Sequence, residues 1–164
     1  MSELLERIQN KLNNDLNGAV VSSQMDYDFP VFIVEKANIH HVLETLKNDG
    51  FKYLTTMCGI HFPDNAGGEF AMMYQLHSLE RNERIRVKCF MSEKDLDMPT
   101  ATDLWASANW MEREAFDFYG FKFKGHPNLK RILNMDEMNY HPLRKEYPLE
   151  DASRHDKEDK YFGR

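Results

Sequence analysis

Two His-Pro dipeptides, His126-Pro127 and His141-Pro142, most narrowly limit what the last part of this chain can fold into. Proline clashes with the backbone of the residue before it and pushes that residue out of the helical region, so each junction favours extended chain. Each dipeptide is followed within a few residues by a leucine and two adjacent cations, Leu129-Lys130-Arg131 and Leu143-Arg144-Lys145. The segment 100–149 is therefore expected to hold one helix and then a largely extended strap that displays cations and aromatic rings. A ribbon with so little secondary structure needs a surface to lie against, and it reads as a docking strap.

Charge supports a separate role for this segment. The 164 residues carry a formal charge of −6 with a pI of about 5.6, which excludes a protein built to bind nucleic acid, because phosphate neutralisation needs a basic face. Residues 1–99 hold 15 acidic and 10 basic side chains, whereas 120–149 hold 3 and 6. Positive charge thus collects on the strap. The length suits one domain with a core that needs no disulfide or metal support. Cys58 and Cys89 are too few for an iron–sulfur cluster and too isolated for a redox pair. Cys89 alternates with Ile85 and Val87 and reads as a buried strand thiol. The opening 17 residues are charged and amphipathic, unlike a signal peptide. The longest apolar run, Val31 to Val34, cannot span a bilayer, so membrane association is expected only through partners.

Periodicity predicts an α+β fold. Ser2 can cap a first helix whose Leu5, Ile8, Leu12 and Leu16 form one stripe ending near Gly18. A strand follows from Tyr27, with Pro30 marking an edge, a bulge or its start. Asn38 can cap a second helix carrying Ile39, Val42, Leu43 and Leu46 and closed by Gly50. Strands are then expected over 51–57, 70–78 and 84–91, with a loop over 61–68 and a polar hairpin tip at 80–83. This order gives a two-layer domain over 1–99, with a mixed sheet covered by helices on one face. Thr100 and Asp103 have capping-box spacing. Leu104, Ala108, Met111, Ala115 and Phe118 form a helical stripe, broken near Ser107 and closed by Gly120. Residues 150–164 are charged, without periodicity, and expected to be a flexible tail carrying Tyr161 and Phe162 as a small anchor.

Several clusters could carry chemistry. Glu112, Glu114 and Asp117 offer carboxylates for acid/base work, set against neutralisation by Arg113, Lys122, Lys124 and Arg131. Seven histidines raise a metal site, but His61, His77, His126 and His141 lack short fixed spacing, and the adjacent His40 and His41 are too close to share an ion from a helix face. No metal is expected. His126 and His141 suit hydrogen bonds that fix the ribbon or contact a partner. Trp105, Trp110, Phe116, Phe118, Tyr119, Phe121 and Phe123 form an aromatic cluster that fits core and interface better than a stacking platform for bases or a quinone. There is no phosphate loop or dinucleotide fingerprint.

The string Glu112-Arg113-Glu114, Asp117, Gly120, Phe123, Gly125-His126-Pro127, Leu129, Arg131-Ile132-Leu133, then His141-Pro142-Leu143-Arg144-Lys145 and Tyr147-Pro148, resembles the signature of the 30 kDa-subunit family, the C subunit, of proton-translocating NADH:quinone oxidoreductase, respiratory complex I. Tyr140 replaces the usual glycine before the second His-Pro, and Glu146 the usual aspartate. The resemblance implies a structural subunit of the hydrophilic arm that supports electron transfer from NADH to quinone coupled to proton translocation. It implies no catalytic residue and no cofactor in the family member itself, with NADH, FMN, iron–sulfur clusters and quinone bound by partner subunits. It implies docking on the D subunit, which helps form the quinone site, near the B subunit, peripherally on the cytoplasmic face of the cell inner membrane. The interface residues it points to are Glu112, Arg113, Glu114, Asp117, His126, Arg131, His141, Arg144 and Lys145. The alternatives are the equivalent subunit of a membrane-bound hydrogenase or other donor-linked oxidoreductase, and a free-standing enzyme using Glu114, Asp117 and His126.

Overall fold

The computed structural model describes residues 3–147; Ser2 and the tail expected over 150–164 lie outside them. Leu5, Ile8 and Leu12 line the buried side of helix α1, Glu3–Asp15. Burying each such side chain contributes roughly 1.5–3 kcal/mol, which makes this stripe the reason the helix stays docked. After a turn over residues 16–19, Val20–Asp26 form strand β1, which periodicity leaves unassigned. Its string VVSSQMD lacks clean alternation because β1 is an exposed sheet edge with little to bury. It pairs antiparallel with β2, Phe29–Val34, through a tip at Tyr27, which is 92% exposed and has φ +54°.

Strand β2 is internal to the sheet. Its parallel register with strand β5, Glu83–Met91, begins at Val31↔Arg86, so Pro30 stands just outside that ladder and marks its start. A 3-10 turn over Lys36–Asn38 runs directly into helix α2, Ile39–Asn48. Asn38 occupies the cap position but its side chain makes no capping bond, because its backbone is already in a helical conformation. The helix buries Ile39, Val42, Leu43 and Leu46, the stripe its spacing predicts. Strands β3, Tyr53–His61, and β4, Phe70–Ser78, complete a five-stranded sheet ordered β1-β2-β5-β4-β3, mixed through the β2–β5 seam and antiparallel elsewhere. Strand β3 runs on to His61, four residues beyond the expected end.

One core joins the helices to Phe32, Tyr74, Leu76, Ile85, Val87 and Cys89 on the covered sheet face. Burial pushes the Cys89 thiol up to about 12, as suits an inert packed sulfur. Beyond the sheet, strand β6, Asp97–Pro99, pairs parallel with β7, Lys122–Lys124, closing a short ladder across the boundary drawn at Pro99. Between them lies helix α3, Ala108–Tyr119. The capping box expected at Thr100 does not form: the helix starts eight residues later, and Thr100 Oγ1 instead donates to Glu112 Oε2 at 2.7 Å. Gly59 lets the end of α3 approach β3, since a Cβ there would stand 2.6 Å from Phe121 and 2.8 Å from Tyr119.

Candidate partner interface

The last turn of a helix leaves its carbonyls without intrahelical donors, and the strap supplies them to α3. His141 Nδ1 lies 3.0 Å from Asp117 O, Leu143 N–H donates to Phe118 O at 3.2 Å, and Arg144 Nε donates to Tyr119 O at 2.9 Å. Cations here also face the negative end of the helix dipole. Gly120 makes the approach possible: its φ is +91°, and a Cβ would sit 2.8 Å from His141 Nε2 and 3.0 Å from Arg144 Nη2. The strap therefore crosses directly over the helix end.

Asp117 is the centre of a second clasp. Its Oδ2 accepts the consecutive N–H groups of Ile132, Leu133 and Asn134 at 3.1, 2.9 and 3.0 Å. Its Oδ1 takes Arg131 Nη1 at 2.7 Å, and Arg131 Nη2 reaches onward to the carbonyls of Met138 and Tyr140. Burial pushes the Asp117 carboxyl up, but the N–H groups of Asn134 and Leu133, with the Arg131 guanidinium, outweigh it and hold the group well below the usual carboxylate range. Arg113, from the same helix, donates to Lys130 O at 3.0 Å and Arg131 O at 2.8 Å while lying over the Trp110 ring. It thus grips strap backbone and does not neutralise Glu114.

The first His-Pro is fixed in the same way. His126 Nε2 donates to Asn109 O at 3.1 Å, while its Nδ1 accepts from Asn128 N–H at 3.0 Å. Glu112 is fully buried under the start of this segment, accepting from Thr100 Oγ1 and from Ala101 N–H at 2.6 Å. Burial without a cation raises its carboxyl to about 7. Arg144 also pairs with Glu93 at 3.0 Å and covers Phe70. His61, expected in a loop, holds the strap's far end: its Nδ1 accepts from Lys145 N–H at 3.0 Å, and its ring stacks on Phe70 at 4.3 Å. A histidine closing a strand next to an aromatic partner was the only local signal for this. Tyr140 has no positive φ, so the turn before His141 needs no glycine; its ring packs 4.9 Å from Tyr147.

The nine singled-out residues thus divide by position. Glu112, Arg113, Asp117, His126, Arg131, His141 and Arg144 spend their side chains inside the chain, and Glu112 and Asp117 offer no surface at all. Glu114 and Lys145 face solvent. The same clasps turn apolar groups outward: Leu133 is 76% exposed, Met135 69% and Trp110 59%, with Leu143 and Tyr147 also exposed. The enzyme alternative gains no convergent site here, since Asp117 is saturated with donors, Glu114 points outward and both nitrogens of His126 are engaged. Among the described residues, one group of histidines and a carboxylate close enough to share an ion lies elsewhere, on α2.

The fold is an α+β domain with a strap clasped to α3 and apolar groups on its outer side, and no helix among the described residues is long and apolar enough to cross a membrane. Residues 32–153 match the family of the respiratory-chain NADH dehydrogenase 30 kDa subunit, and the chain belongs to that family. It is 43% identical over 122 residues to the NADH-quinone oxidoreductase C subunit of Citrifermentans bemidjiense, covering 74% of this chain and 75% of that one. Identity to the C subunit of Trichlorobacter lovleyi is 36% over 149 residues, covering 90% and 92%. In Acinetobacter baylyi the similar protein is a fused C/D subunit, 42% identical over 128 residues, covering 73% of this chain and 22% of that one. Among solved structures, the trypsin-resistant fragment 1–134 of Nqo5 is similar with a TM-score of 0.68 and 29% identity, over 76% of this chain and 98% of that one. A chain of an archaeal membrane-bound sulfane sulfur reductase shares the fold, at a TM-score of 0.75 and 22% identity over 90% of this chain and 87% of that one.

Proposed function

We propose that this chain is the structural subunit of the hydrophilic arm of NADH:quinone oxidoreductase that docks on the D subunit through the outer face of its strap, with the B subunit nearby. The observation that carries this is the strap itself: Arg131, His141 and Arg144 are engaged in clasping α3, while Leu133, Met135 and Leu143 are held out to solvent, as is Trp110 on the helix. Exposed apolar groups on a rigid, pre-formed surface suit association, because little ordering entropy is then lost on binding. Glu114 and Lys145 form the polar rim, and the buried members of the set act on the interface by fixing its shape. Fusion of C to D in some relatives supports D as the neighbour. Electron transfer from NADH to quinone, and proton translocation, belong to the assembly; this chain holds no redox cofactor of its own and sits peripherally on the cytoplasmic face of the inner membrane. Relatives named as parts of NADH-quinone oxidoreductase favour this reading over a hydrogenase component. Tagged chain purified from its native cell should bring down the D and B subunits. Recovery with a nickel–iron subunit, or as a free chain carrying flavin or an iron–sulfur cluster, would overturn it.

A further inference from the structure

Near the start of α2, away from the strap, His40, His41 and Glu44 each place a donor atom within 4.8 Å of the other two. Two adjacent histidines diverge on a helix surface, which is why the sequence alone argues against a shared ion. Glu44 changes that geometry. It lies at i+4 from His40 and i+3 from His41, the two spacings that bring side chains together on a helix, and so stands beside both rings. His41 Nδ1 is 4.0 Å from Glu44 Oε2, and the two imidazoles meet edge-on with centroids 6.3 Å apart. A second element adds a fourth group: Asp103 Oδ2, from the loop before α3, lies 2.8 Å from His40 Nε2. A carboxylate bonded to a ligating histidine fixes its tautomer and ring orientation and raises its basicity. The side chains of His41 and Glu44 are 68% and 52% exposed, so an ion reaches them from solvent without any opening of the fold.

We propose that His40, His41 and Glu44 form a binding site for a divalent transition-metal ion of the zinc class, with Asp103 as the carboxylate that positions His40. Two imidazole nitrogens and one carboxylate oxygen suit zinc and leave a fourth position for water, whereas magnesium demands oxygen ligands in octahedral array. Because His40 and Asp103 lie on different elements, a bound ion links α2 to the loop that leads into α3. The role is structural and involves no redox step.

Titration of the full-length chain with Zn2+ against a chromophoric chelator tests this. One zinc per chain is expected, weakened by about tenfold or more in His41→Ala and Glu44→Gln, and by about tenfold in Asp103→Asn. Zinc should raise the thermal midpoint of the parent chain and raise that of His41→Ala by clearly less at the same concentration. These positions are exposed enough for the variants to fold, which circular dichroism verifies. The proposal is overturned if the parent chain binds no zinc or the variants bind it as tightly as the parent. Equal affinity for Mg2+, or binding lost on replacing His126 or His141 instead, also overturns it.

Discussion

Asp117 shows how one carboxylate can organise a segment with no regular structure of its own. Replacing it with asparagine removes the charge facing Arg131 and sets an amide N–H against backbone N–H groups. Breaking a buried pair in this way costs about 3–5 kcal/mol, and urea unfolding of Asp117→Asn should show a loss of that order. The sign with pH follows from the depressed folded value. The stabilisation is complete above the unfolded carboxylate value of about 3.9 and is lost as acid drives the group toward its folded value. Glu112 behaves in the opposite sense. Its folded value is raised to about 7, so its contribution is full below about pH 4.3 and disappears as pH rises through 7. Between pH 5 and 8 the parent chain should lose on the order of 3 kcal/mol relative to Glu112→Gln, whose amide oxygen can accept from Ala101 N–H while its NH2 donates to Thr100 Oγ1, without the charge. Parallel stability profiles for the two proteins would contradict this account. The sequence displayed both carboxylates together but not their opposite fates, because what separates them is whether backbone N–H groups from a distant segment arrive.

At the scale of elements, helices with an apolar stripe were legible: α2 buries all four residues its periodicity marks and α1 buries Leu5, Ile8 and Leu12, while Leu16 falls just past the end of α1 and is half-buried. The strap's lack of helix also followed from its prolines, but beyond β7 it runs through successive turns where extended chain was expected. Less legible were β1, with nothing to bury on an exposed edge, and the two short strands β6 and β7, whose pairing depends on chain folding back over α3. The partner-facing reading of Arg131, His141 and Arg144 came from their being charged and clustered; side-chain charge does not reveal that three orphaned carbonyls lie within reach. Gly120 is the tightest point of this arrangement. Gly120→Ala should destabilise the chain by roughly 1–3 kcal/mol, through positive φ and the clash with His141. Hydrogen exchange should quicken at the amides of Leu143 and Lys145, while the amides of β4 keep their relative protection.

For the whole molecule, the separation of gripping and facing groups predicts separable defects. Leu133→Asp together with Met135→Asp should leave the unfolding midpoint nearly unchanged, since both side chains are largely exposed. Recovery of the D subunit with the chain should fall at least tenfold. A drop in monomer stability with unchanged recovery would place these residues in the fold and not at the interface. Arg144→Glu should do the reverse first, loosening the strap at Tyr119 and Glu93 before any partner is considered.

The parallel seam between β2 and β5 has a consequence for how the chain is made. The α1–β1–β2 unit and the β3–β4–β5 meander are each local, and their backbones join in the short ladder Val31↔Arg86, Phe32↔Val87 and Ile33↔Lys88. On the ribosome β2 waits, one side unpaired, until β5 emerges, an interval of several seconds at ~5–20 residues per second. Throughout it the apolar run Val31–Val34 is an invitation to another nascent chain. Pro30, which cannot donate to a ladder, shortens any such intruding strand. Refolding of Pro30→Val should therefore scatter more light than the parent at equal concentration, although the sheet that finally forms would be no less stable.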